Sequence, residues 1–233
     1  MTKIGTLNES SLHEALKKYF APDGAKNEVA IGKYICDIVC YDNKVIEIQT
    51  ANLSSLQKKL SALLEMHVVE VVFPIVENNY VRVFAEDNAI AQKSFRKSPK
   101  HESFFSLFRE VTRIYNLLEN QNFSLRLAFV DVETIKIDDK KGRSRYGNAR
   151  ITDKKLLKVN SVKIIKNLQE LFEPVLERLP KKFSAKDLQK LTDKKNAGFT
   201  LWVLKKSGAV VQCEKIGKQS FYSKETRFNS ESS

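Results

Sequence analysis

Two short runs in the stretch YICDIVCYDNKVIEIQT, residues 34 to 50, constrain the fold more than any other part of the chain. Tyr34 to Cys40 and Lys44 to Thr50 are β-branched and apolar, and Tyr41-Asp42-Asn43 between them is turn chemistry, so an antiparallel hairpin is expected. Asp37, Glu47 and Gln49 nevertheless sit inside it. Burying an unpaired charge is costly, so carboxylates in central strands are paired, protonated or bound to a metal ion. With a three-residue loop and Asn43 in the left-handed position, Cys40 faces Lys44 and Asp37 faces Glu47, their Cβ atoms about 4.5–5.5 Å apart. A two-residue loop would set Asp37 opposite Ile48 instead and weaken the metal reading. Side chains alternate along a strand, so Glu47 and Gln49 share a face while Ile46 and Ile48 point away.

The charge along the chain is uneven. Residues 1–92 carry 9 Lys and Arg against 12 Asp and Glu, a net of −3, and the rest carry 31 against 16, a net of +15. A near-neutral first part holding the carboxylates, followed by a strongly basic remainder, is the footprint of a polyanion binder whose chemistry sits apart from its grip; the plainer alternative is a generally basic surface. No apolar run approaches a membrane span and no secretory pattern opens the chain, so a cytoplasmic protein is expected, with no membrane partner. Cys36, Cys40 and Cys213 lack metal-binding spacing, and buried thiols are the simpler reading. No phosphate-binding Gly-x-x-x-x-Gly-Lys-Ser/Thr stretch is present, which argues against a nucleotide triphosphatase.

Helical periodicity runs from Asn8 to Phe20, with Leu12, Ala15, Leu16 and Tyr19 on one stripe and Glu9 and His13 bordering it. Lys26 to Ile31 reads as a strand, and Gly32-Lys33 as a turn into the Asp37 strand. A helix is expected at Ser54–Met66, feeding a buried strand at Val68–Ile75 reached by a right-handed crossover.

This order of helix, three antiparallel strands, helix and strand, with an acidic residue on the second strand and Glu47-Ile48-Gln49 on the third, resembles the PD-(D/E)XK restriction-endonuclease-like superfamily. LNESSLHEALKKYF, IEIQTANLSSLQKKL and FRKSPK look more narrowly like an uncharacterised bacterial family that couples this core to a C-terminal winged helix. The resemblance implies an α/β (α+β) fold, a mixed sheet flanked by helices. It also implies Mg²⁺ (with Mn²⁺ as a substitute) held by Asp37, Glu47 and the Ile48 carbonyl, Glu9 completing the site, and homodimers in many members. The sequence departs from the pattern at Gln49, where a Lys is usual. Gln can orient a water but supplies no charge. Lys33, Lys58 and Lys59 are the candidate compensating cations.

The middle is less regular. Strands are expected at Asn79–Ala85 and Ser124–Ile137, with a helix at Ser103–Leu118 between them. Two basic loops stand out as phosphate contacts: one at 93–100 with Arg96, Lys97 and Lys100, the other at 140–150 with Arg143, Arg145, Tyr146 and Arg150. A solvated charge run is the simpler alternative for each. From Asn167, Leu168, Leu171, Phe172, Val175, Leu176 and Leu179 form a helical stripe. Ser184 then reads as an N-cap with Asp187 in the acidic position of a capping box, a break falls at Asn196-Ala197-Gly198, and a helix follows at Phe199–Lys206. Two strands, Ala209–Glu214 and Ser220–Ser223, complete what resembles a winged helix-turn-helix over residues 166–226, after a nuclease-like domain at 1–165 and before a polar tail at 227–233. In such a module Lys194, Lys195, Lys205, Lys206 and Lys218 would meet phosphates; docking to protein is the alternative.

Three functions fit these observations. The first is a Mg²⁺-dependent DNA endonuclease using Glu9, Asp37, Glu47 and Gln49, the second a DNA-binding regulator with an inactive core. The third is an RNA binder or processor.

Overall fold

The computed structural model describes residues 10–85, 88–138 and 149–225, and packing divides the chain into two compact units. The first comprises Met1–Thr50, Val71–Ser103 and Leu127–Lys163; the second comprises Ala51–Glu70, Phe104–Arg126 and Ile164–Ser233. The second unit thus adds two earlier segments to the C-terminal residues. Elements follow in the order α1 (Ser11–Phe20), β1 (Lys26–Ile31), β2 (Tyr34–Val39), β3 (Val45–Ile48), α2 (Gln57–Leu63), β4 (Val69–Ala85), β5 (Asn88–Lys97), α3 (Leu107–Glu110), β6 (Phe123–Asp138), β7 (Arg150–Ile165), α4 (Leu168–Leu176), β8 (Lys182–Ser184), α5 (Ala185–Leu191), α6 (Lys194–Lys206), β9 (Val210–Ile216) and β10 (Gln219–Lys224). The class is the expected mixture of helices and a large mixed sheet.

Seven strands form the main sheet in the order β1-β2-β3-β4-β6-β7, with β5 on β4. Its core in the first unit is built by α1, which places Leu12, Leu16 and Phe20 against Ile38, Ile46, Ile48, Val72, Ala128, Val130 and Val132. Each side chain so buried contributes roughly 1.5–3 kcal/mol. The buried stripe runs at i, i+4 and i+8, which leaves Tyr19 58% exposed and edge-on to Phe20 at 4.9 Å. Two side chains fix where α1 starts. Ser10 Oγ accepts the His13 N–H at 3.3 Å, and Asp153 of β7 accepts from Ser11 N at 3.0 Å and Ser11 Oγ at 2.6 Å. The helix therefore begins at Ser11 rather than Asn8.

The middle of the chain departs most from the sequence expectations. The runs at 68–75 and 79–85 are one 17-residue strand, β4, across the polar Glu77-Asn78-Asn79. The basic segment expected as a loop at 93–100 is strand β5 as far as Lys97, paired antiparallel with β4. No turn residue interrupts it before Ser98-Pro99, and a strand tolerates lysine where its side chains are exposed. β7 carries five Lys and Arg that spoil its alternation, although Ile151, Thr152, Val159, Val162, Ile164 and Ile165 are good strand formers. The expected helix at 103–118 breaks into α3 flanked by 3-10 turns. β-Branched Val111, Thr112 and Ile114 crowd the helix there, and Ile114 leaves helical geometry at φ −127°.

The second unit ends in three helices and a three-stranded antiparallel sheet, β8-β10-β9. Asp187 accepts the Ser184 N–H at 2.9 Å, closing the expected capping box at the start of α5. The break before α6 falls at Thr192-Asp193 instead of Asn196-Ala197-Gly198. Asp193 Oδ1 takes the N–H groups of Lys195 and Asn196, each at 2.9 Å, and a cap of this kind offsets the roughly 1 kcal/mol that Gly198 costs inside the helix. Gly208 and Gly217, at φ 69° and 58°, end α6 and turn the β9–β10 hairpin.

Candidate active site and nucleic-acid surfaces

The hairpin register is the one the three-residue loop requires. Ile38 pairs with Ile46 and Val39 with Val45, Cys40 N donates to Lys44 O at 2.9 Å, and Asn43 is left-handed at φ 65°. The pairing ends at Ile38 and Ile46; carried one step further, the same register would set Asp37 opposite Glu47. All four β3 residues are buried, Glu47 at 2% exposure, and Ile46 and Ile48 point into the core beneath α1. Beyond Ile38 the ladder changes character. The Ile48 N–H donates to Asp37 Oδ2 at 2.7 Å, a side chain standing where a strand carbonyl usually accepts. Gln49 lies just past β3, its backbone N–H donating to Val72 O at 2.9 Å.

α1 adds two basic groups here. His13 Nε2 is 3.5 Å from Asp37 Oδ2, and Lys17, four residues on, bonds Glu28 Oε1 at 3.1 Å with its own side chain 8% exposed. Glu28 has φ 55°, and the β1–β2 register, Asn27 with Ile38 and Val29 with Cys36, puts it beside Asp37 on the side away from Glu47. Glu28 and Asp37 are thus neighbours across β1 and β2, met by Lys17 and His13 from α1, whereas Glu47 alternates with Ile46 and Ile48, which face that helix, and so points to the other side. Sequence reasoning singled out His13 only weakly and missed Lys17 and Glu28. The available signal was the i, i+4 spacing of 13 and 17 along α1, legible only once β1 is in register.

Among the described residues, no group of three His, Cys, Asp or Glu side chains is arranged to hold a metal. Glu9, the expected third ligand, lies outside the described residues. Of the candidate replacements for the missing Lys, Lys33 stacks over the Tyr34 ring at 5.4 Å, and Lys58 and Lys59 belong to α2 in the second unit. The donor set at Asp37 and Glu47 is nonetheless all oxygen. Mg²⁺ is commonly bound by one or two carboxylates, with waters and substrate phosphates completing its shell, so these two residues suit that ion.

The expected phosphate contacts fall in separate places. Arg96 and Lys97 are neighbours near the end of β5, so they point to opposite faces, Lys100 follows the strand, and Arg150 opens β7; all four are exposed. Arg143, Arg145 and Tyr146 lie outside the described residues. In the second unit, Lys194 and Lys195 occupy the first turn of α6 and Lys205 and Lys206 its last, all exposed, with Lys218 in the β9–β10 turn. Lys205 Nζ lies 5.6 Å from the Tyr222 ring centroid. Lys218 and Lys186 share a cavity of about 560 Å³ with Ser220 and the edge of Tyr222.

Fold and site define an α+β protein with a buried acidic hairpin in its main sheet. A family model described as "Domain of unknown function (DUF8091)" matches residues 10–166, well over half of the chain, and the chain belongs to that family. An uncharacterized protein of Treponema pallidum (strain Nichols) is 40% identical over 222 residues, covering 95% of this chain and 88% of that protein. That alignment is longer than the family match and so reaches into the C-terminal helices. No solved structure matches the chain. No helix among the described residues is long and apolar enough to cross a membrane.

Proposed function

We propose that this protein is an intracellular, divalent-metal-dependent endonuclease acting on DNA. The observation that carries the reading is two carboxylates, Asp37 on β2 and the buried Glu47 on β3, in an otherwise apolar hairpin whose register at Ile38 and Ile46 would set them opposite each other. A carboxylate buried as Glu47 is costs stability unless a partner or an ion compensates it. Asp37 and Glu47 would hold Mg²⁺ or Mn²⁺ with the Ile48 carbonyl as a further oxygen donor. The bound ion would polarise the scissile phosphate and acidify the attacking water.

The chain's own groups do the rest. The Ile48 N–H fixes the Asp37 carboxylate. Gln49 would orient a water through its amide. The order α4-β8-α5-α6-β9-β10 supports a winged helix-turn-helix that delivers the substrate, with α6 toward the groove and the β9–β10 turn toward the backbone. Two exposed lysines in the first turn of α6 oppose the helix dipole, a cost that phosphate binding offsets.

The test incubates the full-length protein with supercoiled plasmid, single-stranded DNA and branched DNA in Mg²⁺ or Mn²⁺, beside Glu47→Ala. Cutting that disappears in the variant is the expected result, and cutting that persists unchanged overturns it. Calorimetry should show a divalent ion binding the wild type and not Asp37→Asn. A second reading, a DNA-binding regulator with an inactive core, is favoured by His13 lying 3.5 Å from Asp37, where a side chain rather than an ion meets the carboxylate. Tight, salt-sensitive DNA binding with no cutting and no metal uptake supports that reading.

A further inference from the structure

The β4–β5 ribbon carries an aromatic and cationic face that the site above does not use. In its antiparallel register Tyr80 pairs with Lys97 and Arg82 with Phe95, so these four side chains share one face. The Tyr80 and Phe95 rings are nearly parallel, 11° apart with centroids 5.9 Å from each other, and the Arg82 guanidinium lies 4.6 Å from the Phe95 centroid. Arg82 is locked in turn, its Nε donating to Glu133 Oε1 at 2.5 Å. The platform is rigid, yet Phe95 is 49% exposed. A half-exposed ring is ordinary on a protein surface; this one is set apart by its stacking on Tyr80 and by the fixed guanidinium beside it.

Charge identifies the occupant. The carboxylates on this face are spoken for: Glu133 by Arg82, and Asp131 by the amides of Asn78 at 2.6 Å and Asn160 at 2.8 Å. Burial opposes ionisation of Asp131, but those two amides, with Lys158 and Lys97 nearby, outweigh it and hold its carboxyl below the usual range. Lys97, opposite Tyr80 in the ladder, thus stands on the ring face, and its charge and that of Lys158 both act on Asp131. Flat aromatic faces interleaved with cations bind unpaired bases by stacking and their phosphates by charge.

We propose that the Tyr80–Arg82–Phe95 face is a stacking site for unpaired bases of single-stranded DNA, with Lys97 as a phosphate contact. The choice of DNA over RNA rests on the nuclease reading; the stacking stands without it. The substrate would then contain a single-stranded segment, as a branch or a flap does.

The experiment measures anisotropy of labelled oligo-dT, an abasic oligomer of equal length, oligo-U and a duplex with the full-length protein in EDTA. Neither cleavage nor metal binding enters this readout, so failure here and failure of the metal site are distinguishable. Phe95→Ala should weaken oligo-dT roughly tenfold and leave the abasic oligomer unchanged, because only a base can stack. Phe95→Trp should restore oligo-dT binding. Undiminished oligo-dT binding in Phe95→Ala, equal weakening on the abasic oligomer, or no rescue by Trp overturns the proposal. Tighter binding of oligo-U than of oligo-dT overturns the assignment to DNA.

Discussion

The two antiparallel hairpins of the first unit, β2–β3 and β4–β5, share a sheet and use it in opposite ways. β3 is buried at every position and β2 buries Cys36 and Ile38, yet this hairpin holds Asp37 and Glu47. The β4–β5 ribbon leaves Phe95 half in water beside a locked arginine. One hairpin places charge where a hydrocarbon would cost less, and the other keeps a stacked ring at the surface. The first choice runs against local stability, and positions of that kind are where a fold concedes energy to function. On the functions proposed above, the two would meet different substrate parts: Asp37 and Glu47 a small hard cation, the exposed rings a flat base.

The sharpest way to break this comparison is at Glu47. Glu47→Gln keeps the side chain's shape and removes its charge, so cleavage in Mg²⁺ should fall by about 100-fold or more, while a plasmid-cutting assay of Phe95→Ala on fully duplex substrate should match the wild type. Equal losses in the two variants would mean that both hairpins serve one function, or neither.

Stability should separate them next. Ile38 is fully buried in the α1 core, and Ile38→Ala should cost about 2–5 kcal/mol in urea denaturation. Phe95→Ala loses only cross-strand contacts, about 0.2–1 kcal/mol. A Phe95→Ala cost as large as that of Ile38→Ala would make Phe95 a core residue and remove the reason to seek its ligand.

The same contrast explains what could be read in the chain beforehand. Periodicity reports burial, so β1, β2, β3, α1 and the C-terminal helices were legible, and even the register followed from a three-residue loop with Asn43 at its left-handed position. β5 and β7 were not, because strands with exposed, lysine-rich faces look like loops to any rule built on alternation. The start of α1 was misplaced because one of its anchors, Asp153, is 142 residues away. Glu28, with Lys17 on it, was brought beside Asp37 only by strand pairing. Local sequence shows which residues resist burial, but not which distant strand compensates them.

That distant anchor gives a smaller prediction, aimed at the helix covering the buried hairpin. Burial opposes ionisation at Asp153, but the Ser11 hydroxyl and N–H, the Lys154 N–H and the Lys155 charge outweigh it, so its carboxyl titrates below the usual carboxylate range. A depressed folded-state value means that the stabilisation is complete above the unfolded pKa of about 3.9 and is lost as pH falls through the folded one. Asp153→Ala should therefore cost about 1 kcal/mol at pH 7, typical of a lost helix cap. In paired urea melts the gap between variant and wild type should close in acid below about pH 4. A gap that stayed constant into acid would assign the loss to packing instead of to the carboxylate.

The smallest effect belongs to Asn43. Its φ of 65° is a conformation glycine adopts freely, and the strain that Asn43→Gly relieves is offset by the about 0.4–1 kcal/mol of extra unfolded-state freedom, so stability should barely move. Mg²⁺ binding measured by calorimetry should also stay as it was, because the loop still has three residues and the hairpin register is unchanged. Deleting Val45 while leaving every charge in place keeps the three-residue loop and slides the rest of β3 by one, setting Asp37 opposite Ile48. Ion binding should then vanish although no ligand has been mutated. Should the deletion variant titrate like the wild type, the carboxylates would not owe their placement to the hairpin register, and the buried hairpin would lose the property that sets it apart from the exposed one.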